Sequence, residues 1–233
     1  MNTTTEDMDT LKRYTNFVVG TSDRSADPSP YTARGVLNGI KAAAKVKLGS
    51  DSLNQKIVAV QGLGNVGYRL CEHLHHEGAK LLVYDYDAQK IDRAVAEFGA
   101  IGVNQAEILT SECDILAPCA LGAVINDGVI DQLKCAIIAG SANNILADSS
   151  IGDRLDKMGI LYATDYIINA GGVINCGADL IDNHNEHYVW QKIDEIYDTT
   201  MKIFSLAQKQ KIPTYQAADQ FALAIIDKKK MTL

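Results

Sequence analysis

The chain has 233 residues, 47% of them hydrophobic, with a formal net charge of −7 and a pI near 5.2. That is enough apolar material for one sizeable core, and the acid excess argues against a nucleic-acid partner, which needs clustered Lys and Arg. No run approaches the roughly 20 apolar residues of a membrane-spanning helix, and the opening "MNTTTEDMD" is the opposite of a signal or transit peptide.

Residues 1–29 carry little pattern beyond a short helix from about Asp7. Ser29 then reads as an N-cap and Pro30 as the first helical residue, opening "YTARGVLNGIKAAAKVKL", which stops at Gly49. Six short apolar strands follow: "KIVAV", "KLLVYD", a brief "IGV", "CDILAP", "CAIIAG" and "GILYA". The helix between the first two ends at Gly78, and "AQKIDRAVAEF" ends at Gly99. Strand, helix, strand at this spacing means parallel βαβ units. The fold class is therefore α/β, a doubly wound parallel sheet of the Rossmann type with about six strands. Beyond residue 167 the strands cease. "VINCGADLIDN", "NEHYVWQKIDEIYDTTMKIFSLAQKQK" and "YQAADQFALAIID" read as helices by apolar spacing. The expected organisation is one domain over 1–233: a lead-in at 1–29, the doubly wound core at 30–182 and C-terminal helices at 183–233. The run Lys228-Lys229-Lys230 reads as a solvated tail. The five cysteines (71, 113, 119, 135 and 176) form no CxxC and are odd in number. Free Cys in apolar runs behaves as a small hydrophobe, which suits a reducing cytoplasm.

Gly62, Gly64 and Gly67 in "VAVQGLGNVGYRL" make a GxGxxG between a strand and a helix, and Asp85 ends the next strand 21 residues after Gly64. In this context the pattern is a dinucleotide-binding turn. Gly62 makes the tight turn, Gly64 admits the pyrophosphate to the backbone, and Gly67 packs helix on strand. N–H groups near Asn65 and Val66 would face the phosphates at the positive helix end. Asp85 can accept both ribose hydroxyls and would repel a 2′-phosphate, and "YDAQ" after it holds no Arg, so NAD is expected rather than NADP.

Other residues are more ambiguous. Asn143 and Asn144 in "IAGSANN" stand past a strand's carboxyl end, where ligands bind in open sheets, although Asn also favours caps and turns. Gly171-Gly172 suits either a helix start or a close approach to a ligand. His73/His76 and His184/His187 are each one turn apart, but a third ligand is missing for both, so no metal is expected. Tyr188 and Lys192 form a YxxxK, which arises easily by chance.

Taken together, "PSPYTARGV", "QGLGNVG", "CDILAPCALGAVIN", "AGSANN", "DYIINAGGVIN" and "IPTYQAAD" resemble the glutamate, leucine, phenylalanine and valine dehydrogenases, the leucine enzymes most of all. The resemblance runs from about Thr3 to about Ile225, over the family's NAD-binding domain and returning C-terminal helices. It implies reversible oxidative deamination of an aliphatic or aromatic L-amino acid to a 2-oxo acid and ammonia, with NAD as cofactor. It also implies that Thr32 and Asn169 lie against the nicotinamide carboxamide, that Ala120 and Leu121 pass the nicotinamide ribose, and that Asn143 touches the cofactor. Asn144 would help hold the substrate, and Val173 would line its side-chain pocket. The chain has "SADPSP" for the family's "SGNPSP", and "GGVINCGAD" for "GGVINVADE" beside that pocket.

Members of that family also carry an N-terminal domain whose GGGK-type lysines hold the substrate carboxylate and polarise water, with an aspartate at a motif like "DVGTT". Aligned to that pattern, this chain starts one residue after the aspartate, so the catalytic Lys and Asp are expected upstream of Met1. Its one glycine pair is followed by Val173, not by lysine. The expected partners are an amino acid or 2-oxo acid, a further copy of the chain, or a separate substrate domain. The alternative is a catalytically incomplete NAD-binding or partner-binding subunit.

Overall fold

The computed structural model describes residues 4–22, 27–180 and 185–230. Its centre is a sheet of six strands: β1 (Ile57–Gln61), β2 (Lys80–Tyr84), β3 (Ile101–Gly102), β4 (Cys113–Pro118), β5 (Cys135–Ile138) and β6 (Leu161–Tyr162). All pair in parallel in the order β3-β2-β1-β4-β5-β6, which is the doubly wound order.

Strand alternation divides the core between the two sheet faces. Val58, Val60, Leu81, Val83, Ile115, Ala117 and Ile137 point to one face. There they meet α2 (Ser29–Lys47), through Val36, Leu37 and Ile40, and α3 (Asn65–His76), through Leu70 and Leu74. Ala59, Leu116 and Ile138 point to the other, against Ile151 and Leu155 of α5 (Ser149–Lys157), the connecting residues Ile108 and Ile125, and Ile130 of a short 3-10 turn (Ile130–Gln132). Covering both faces is what a parallel sheet requires.

The helices α4 (Ala88–Phe98), α6 (Asp165–Ile168), α7 (Gly171–Leu180), α8 (Glu186–Gln210) and α9 (Thr214–Lys230) complete this body. The long α8 returns along α2, with Asn38 Nδ2 donating to Ile193 O at 3.1 Å, so the C-terminal helices close the same core. The expected boundary at 182/183 lies outside the described residues.

Several boundaries differ from the sequence reading. The first helix, α1 (Thr5–Lys12), starts ahead of Asp7 because Thr4 and Asp7 form a reciprocal capping box. In α2 the N-cap is Pro28, not Ser29, and Pro30 is the second helical residue. Asp27 explains the shift, since its Oδ1 accepts the Ser29 N–H at 2.9 Å. Helix α9 runs through the lysines to Lys230 rather than stopping near Asp227, as suits good helix formers whose charge favours a C-terminus.

Candidate functional site

Strand order reverses between β1 and β4, and the glycine turn sits there. The Cys119 N–H donates to Gln61 O at 2.7 Å, tying the two strand ends together. Gly62 has φ +99°, open to glycine alone at no cost, and a Cβ on it would stand 2.8 Å from the Ala120 Cβ. A Cβ on Gly67 would stand 2.0 Å from Gly62 O, so α3 rests directly on the turn. Gly64 is different: it is exposed, with ordinary φ −71°, and a Cβ there would meet nothing within 4 Å. It is the N-cap of α3 and supplies no side-chain cap, so the first-turn donors, including those of Asn65 and Val66, open onto this space.

Asp85 follows β2 and folds back onto the same turn. One carboxylate oxygen accepts the Leu63 N–H at 2.6 Å and the other the Asp87 N–H at 3.0 Å. Each oxygen keeps a second lone pair for a ligand. Lys90, on the first turn of α4, places its Nζ 3.8 Å from Asp85 Oδ1. The sequence reading, which looked only at "YDAQ", missed this cation.

The loops after β4, β5 and β6 converge beside the turn. Ala120 and Leu121 are exposed, and a Cβ on Gly122 would be 2.5 Å from Asn143 O, so the 119–123 loop lies on the 143–144 backbone. Asn144 has φ +53° and its carbonyl accepts the Ala123 N–H at 2.6 Å; Asn tolerates this left-handed turn. Asn169 Nδ2 donates to Asn143 Oδ1 at 2.7 Å and to Ser141 O at 3.3 Å. With both hydrogens of Asn169 spent, the pair keeps acceptor capacity at Asn169 Oδ1 and at the second lone pair of Asn143 Oδ1, and one donor group (Asn143 Nδ2). That is the complement of a primary carboxamide.

Thr32 and Val173 lie where α2 and α7 begin. Gly171-Gly172 is the start of α7, and a Cβ on Gly171 would be 2.0 Å from Tyr31 O, so the pair lets two helix ends touch. Thr32 sits across this contact with its hydroxyl donating to Pro28 O at 3.1 Å. Val173 is 74% exposed, a bare apolar side chain. Two residues on, Asn175 is fully buried with both amide atoms unpartnered, a feature the sequence reading did not single out.

Lys192 lies 5.6 Å from the centre of the Tyr188 ring and pairs with Glu195 at 2.7 Å, leaving no tyrosine–lysine relay. Among the described residues no group of three metal-ligating side chains exists; His184 lies outside them. Burial pushes the thiols up, Cys113 to about 12 and Cys135 to about 11, leaving them protonated and inert near neutrality. No helix among the described residues is long and apolar enough to cross a membrane.

The strand order, the glycine turn at its reversal and the acidic residue after β2 define a Rossmann-type domain. The sequence pattern of the glutamate/leucine/phenylalanine/valine dehydrogenases matches residues 25–87 and 84–231, and the chain belongs to this family. It is 50% identical over 235 residues to leucine dehydrogenase of Thermoactinomyces intermedius, a match spanning 100% of this chain and 64% of that protein. To leucine dehydrogenase of Geobacillus stearothermophilus it is 53% identical, over 95% of this chain and 61% of that one. The crystal structure of L-tryptophan dehydrogenase from Nostoc punctiforme superposes with a TM-score of 0.88 at 41% identity, covering 97% of this chain and 65% of that one. The chain thus spans about three-fifths of the length of these relatives.

Proposed function

We propose that the chain is the NAD-binding part of a cytoplasmic amino-acid dehydrogenase that deaminates an aliphatic or aromatic L-amino acid. The observation that carries this reading is the cradle at Gly64, where open space faces uncapped α3 donors while Gly62 and Gly67 are packed shut. The residues present fit a dinucleotide. Gly62, Gly64, Gly67 and the Asn65 and Val66 N–H groups would hold the pyrophosphate, and Asp85 the adenosine ribose. Ala120 and Leu121 would line the second ribose. Asn143, Asn169 and Thr32 would take the carboxamide, whose donor and acceptor match what the asparagine pair leaves unused. NAD, when bound, would supply the two-electron acceptor.

Asn144 and Val173 would face the substrate. "INAGGVINCGAD" bears no Lys or Arg to meet a γ-carboxylate, which supports an apolar side chain over glutamate. The acid–base groups would come from a substrate domain, in the same protein or a partner, and self-association would cover the remaining apolar surface.

Calorimetric titration with NAD and NADP tests the cofactor reading. NAD is expected to bind more tightly, and Asp85→Ala to weaken it by about 1.5–3 kcal/mol, the range for hydrogen bonds to a charged group. Equal affinity for NADP would remove Asp85 as the selector and shift attention to the Lys90 ammonium beside it.

A further inference from the structure

The asparagine pair belongs to two separate loops, after β5 and after β6, and its usefulness depends on what holds those loops in register. Asp165, the first residue of α6, is only 6% exposed. Its Oδ2 accepts the Ile145 N–H at 2.8 Å, across 20 residues of sequence, and its Oδ1 accepts the Tyr166 N–H at 2.6 Å. Its carbonyl accepts the Asn169 N–H at 2.8 Å, and its own N–H is donated to the Tyr162 hydroxyl at 3.2 Å. One buried side chain therefore grips the backbone next to Asn144 from the first residue of α6, the short helix whose C-cap is Asn169. A carboxylate suits this task because it is acceptor-only and offers both oxygens to N–H groups.

We propose that Asp165 is a positioning residue that sets the Asn143–Asn169 pair in register for the carboxamide end of the dinucleotide. This rests on the cofactor reading above. A binding group must be held to about 0.5 Å by its supporting contacts, and here the support is a charge-assisted bond between the two loops. Asp165→Asn keeps the shape but leaves one of the two N–H groups, of Ile145 or Tyr166, facing a donor and takes the charge from the other bond, so the hold between the loops should weaken while the glycine turn, at β1, is untouched.

The experiment compares NADH with ADP-ribose, which lacks the nicotinamide, by calorimetry on the whole chain. Asp165→Asn is expected to weaken NADH about tenfold, the scale for one misplaced charge-assisted bond, and to leave ADP-ribose within about twofold. Equal weakening of both would mean general destabilisation, and no change in either would mean that Asp165 does not set the pair; each overturns the proposal. If the unsubstituted chain binds neither ligand, the cofactor reading itself fails, which is a separate result. Should Asp165→Asn not fold, amide hydrogen exchange on the unsubstituted chain decides. Ile145 is expected to exchange as slowly as the β5 strand, and exchange at the rate of its exposed neighbours Asn143 and Asn144 would overturn the proposal.

Discussion

The three glycines of the turn look equivalent in sequence and carry different physical burdens. At Gly67 a methyl group would sit 2.0 Å from Gly62 O, well inside contact distance, so Gly67→Ala must push α3 off the turn. Overpacking of this kind typically costs about 1–3 kcal/mol, which for a domain this size lowers the melting temperature by about 2–12 °C. At Gly64 a methyl group meets nothing and φ is ordinary, so Gly64→Ala should cost less than about 1 kcal/mol, the difference between Gly and Ala as an N-cap. Yet it fills the space where the proposed site would take the pyrophosphate, so its NAD affinity should fall at least tenfold. Melting curves and titrations of both variants check this. A Gly64→Ala protein that binds NAD normally would show that the phosphates do not approach there.

At the level of elements, much was legible because much is local. The strands of the sheet announce themselves as apolar runs, and the turn as glycines between a strand and a helix. What was not legible depends on contacts between distant segments. Helix α6 spans only Asp165–Ile168, too short for a periodic signal. Helix α7 begins on two glycines for which the sequence left a helix start or a close approach to a ligand open; their contacts with Tyr31 O and Thr32 Oγ1 on α2 come from a distant segment. The brace from Asp165 to Ile145 joins loops that no spacing rule connects. Lys90 reaches Asp85 only because α4 turns back over the strand end.

His73 is a further case, where a helix face gives a titrating group its environment. It lines a cleft with Pro30, Arg34, Arg69, Trp190 and Asp194. Burial, reinforced by the Arg34 charge and only partly offset by Glu72, holds its pKa below the ordinary 6.5. The unfolded chain therefore binds a proton at higher pH than the folded one. The resulting stabilisation is fully present above pH 6.5 and is lost as pH falls below it toward the folded value. Urea unfolding between pH 7.5 and 5.5 should show stability declining on acidification, and His73→Gln should flatten that decline. An unchanged slope in the variant would assign the decline to other groups.

For the whole molecule, the question is whether the proposed cofactor cradle can turn over by itself. Deamination needs a base to take protons and a polarised water to attack the imine, and such groups each contribute about 10²–10⁴-fold. Three groups that could serve as a base are already engaged. Lys41 pairs with Glu77 at 2.7 Å, Asp165 accepts two backbone N–H groups, and the Tyr166 hydroxyl donates to Asp219 at 2.5 Å, with burial and that carboxylate pushing its pKa up. Leu121 and Val173 meanwhile present apolar surface to solvent rather than a proton relay. The chain alone is therefore expected to fold and bind NAD, yet to produce negligible NADH from any L-amino acid, followed at 340 nm. Adding the substrate-holding portion of a related leucine dehydrogenase should restore turnover, with leucine, valine, phenylalanine or tryptophan ahead of glutamate. A glutamate rate above all four would refute the apolar pocket at Val173. Turnover by the unaided chain at about 1 s⁻¹ or more, an ordinary enzyme rate, would mean that one of the engaged groups is released on binding. Lys41, Asp165 and Tyr166 would then be the first to substitute.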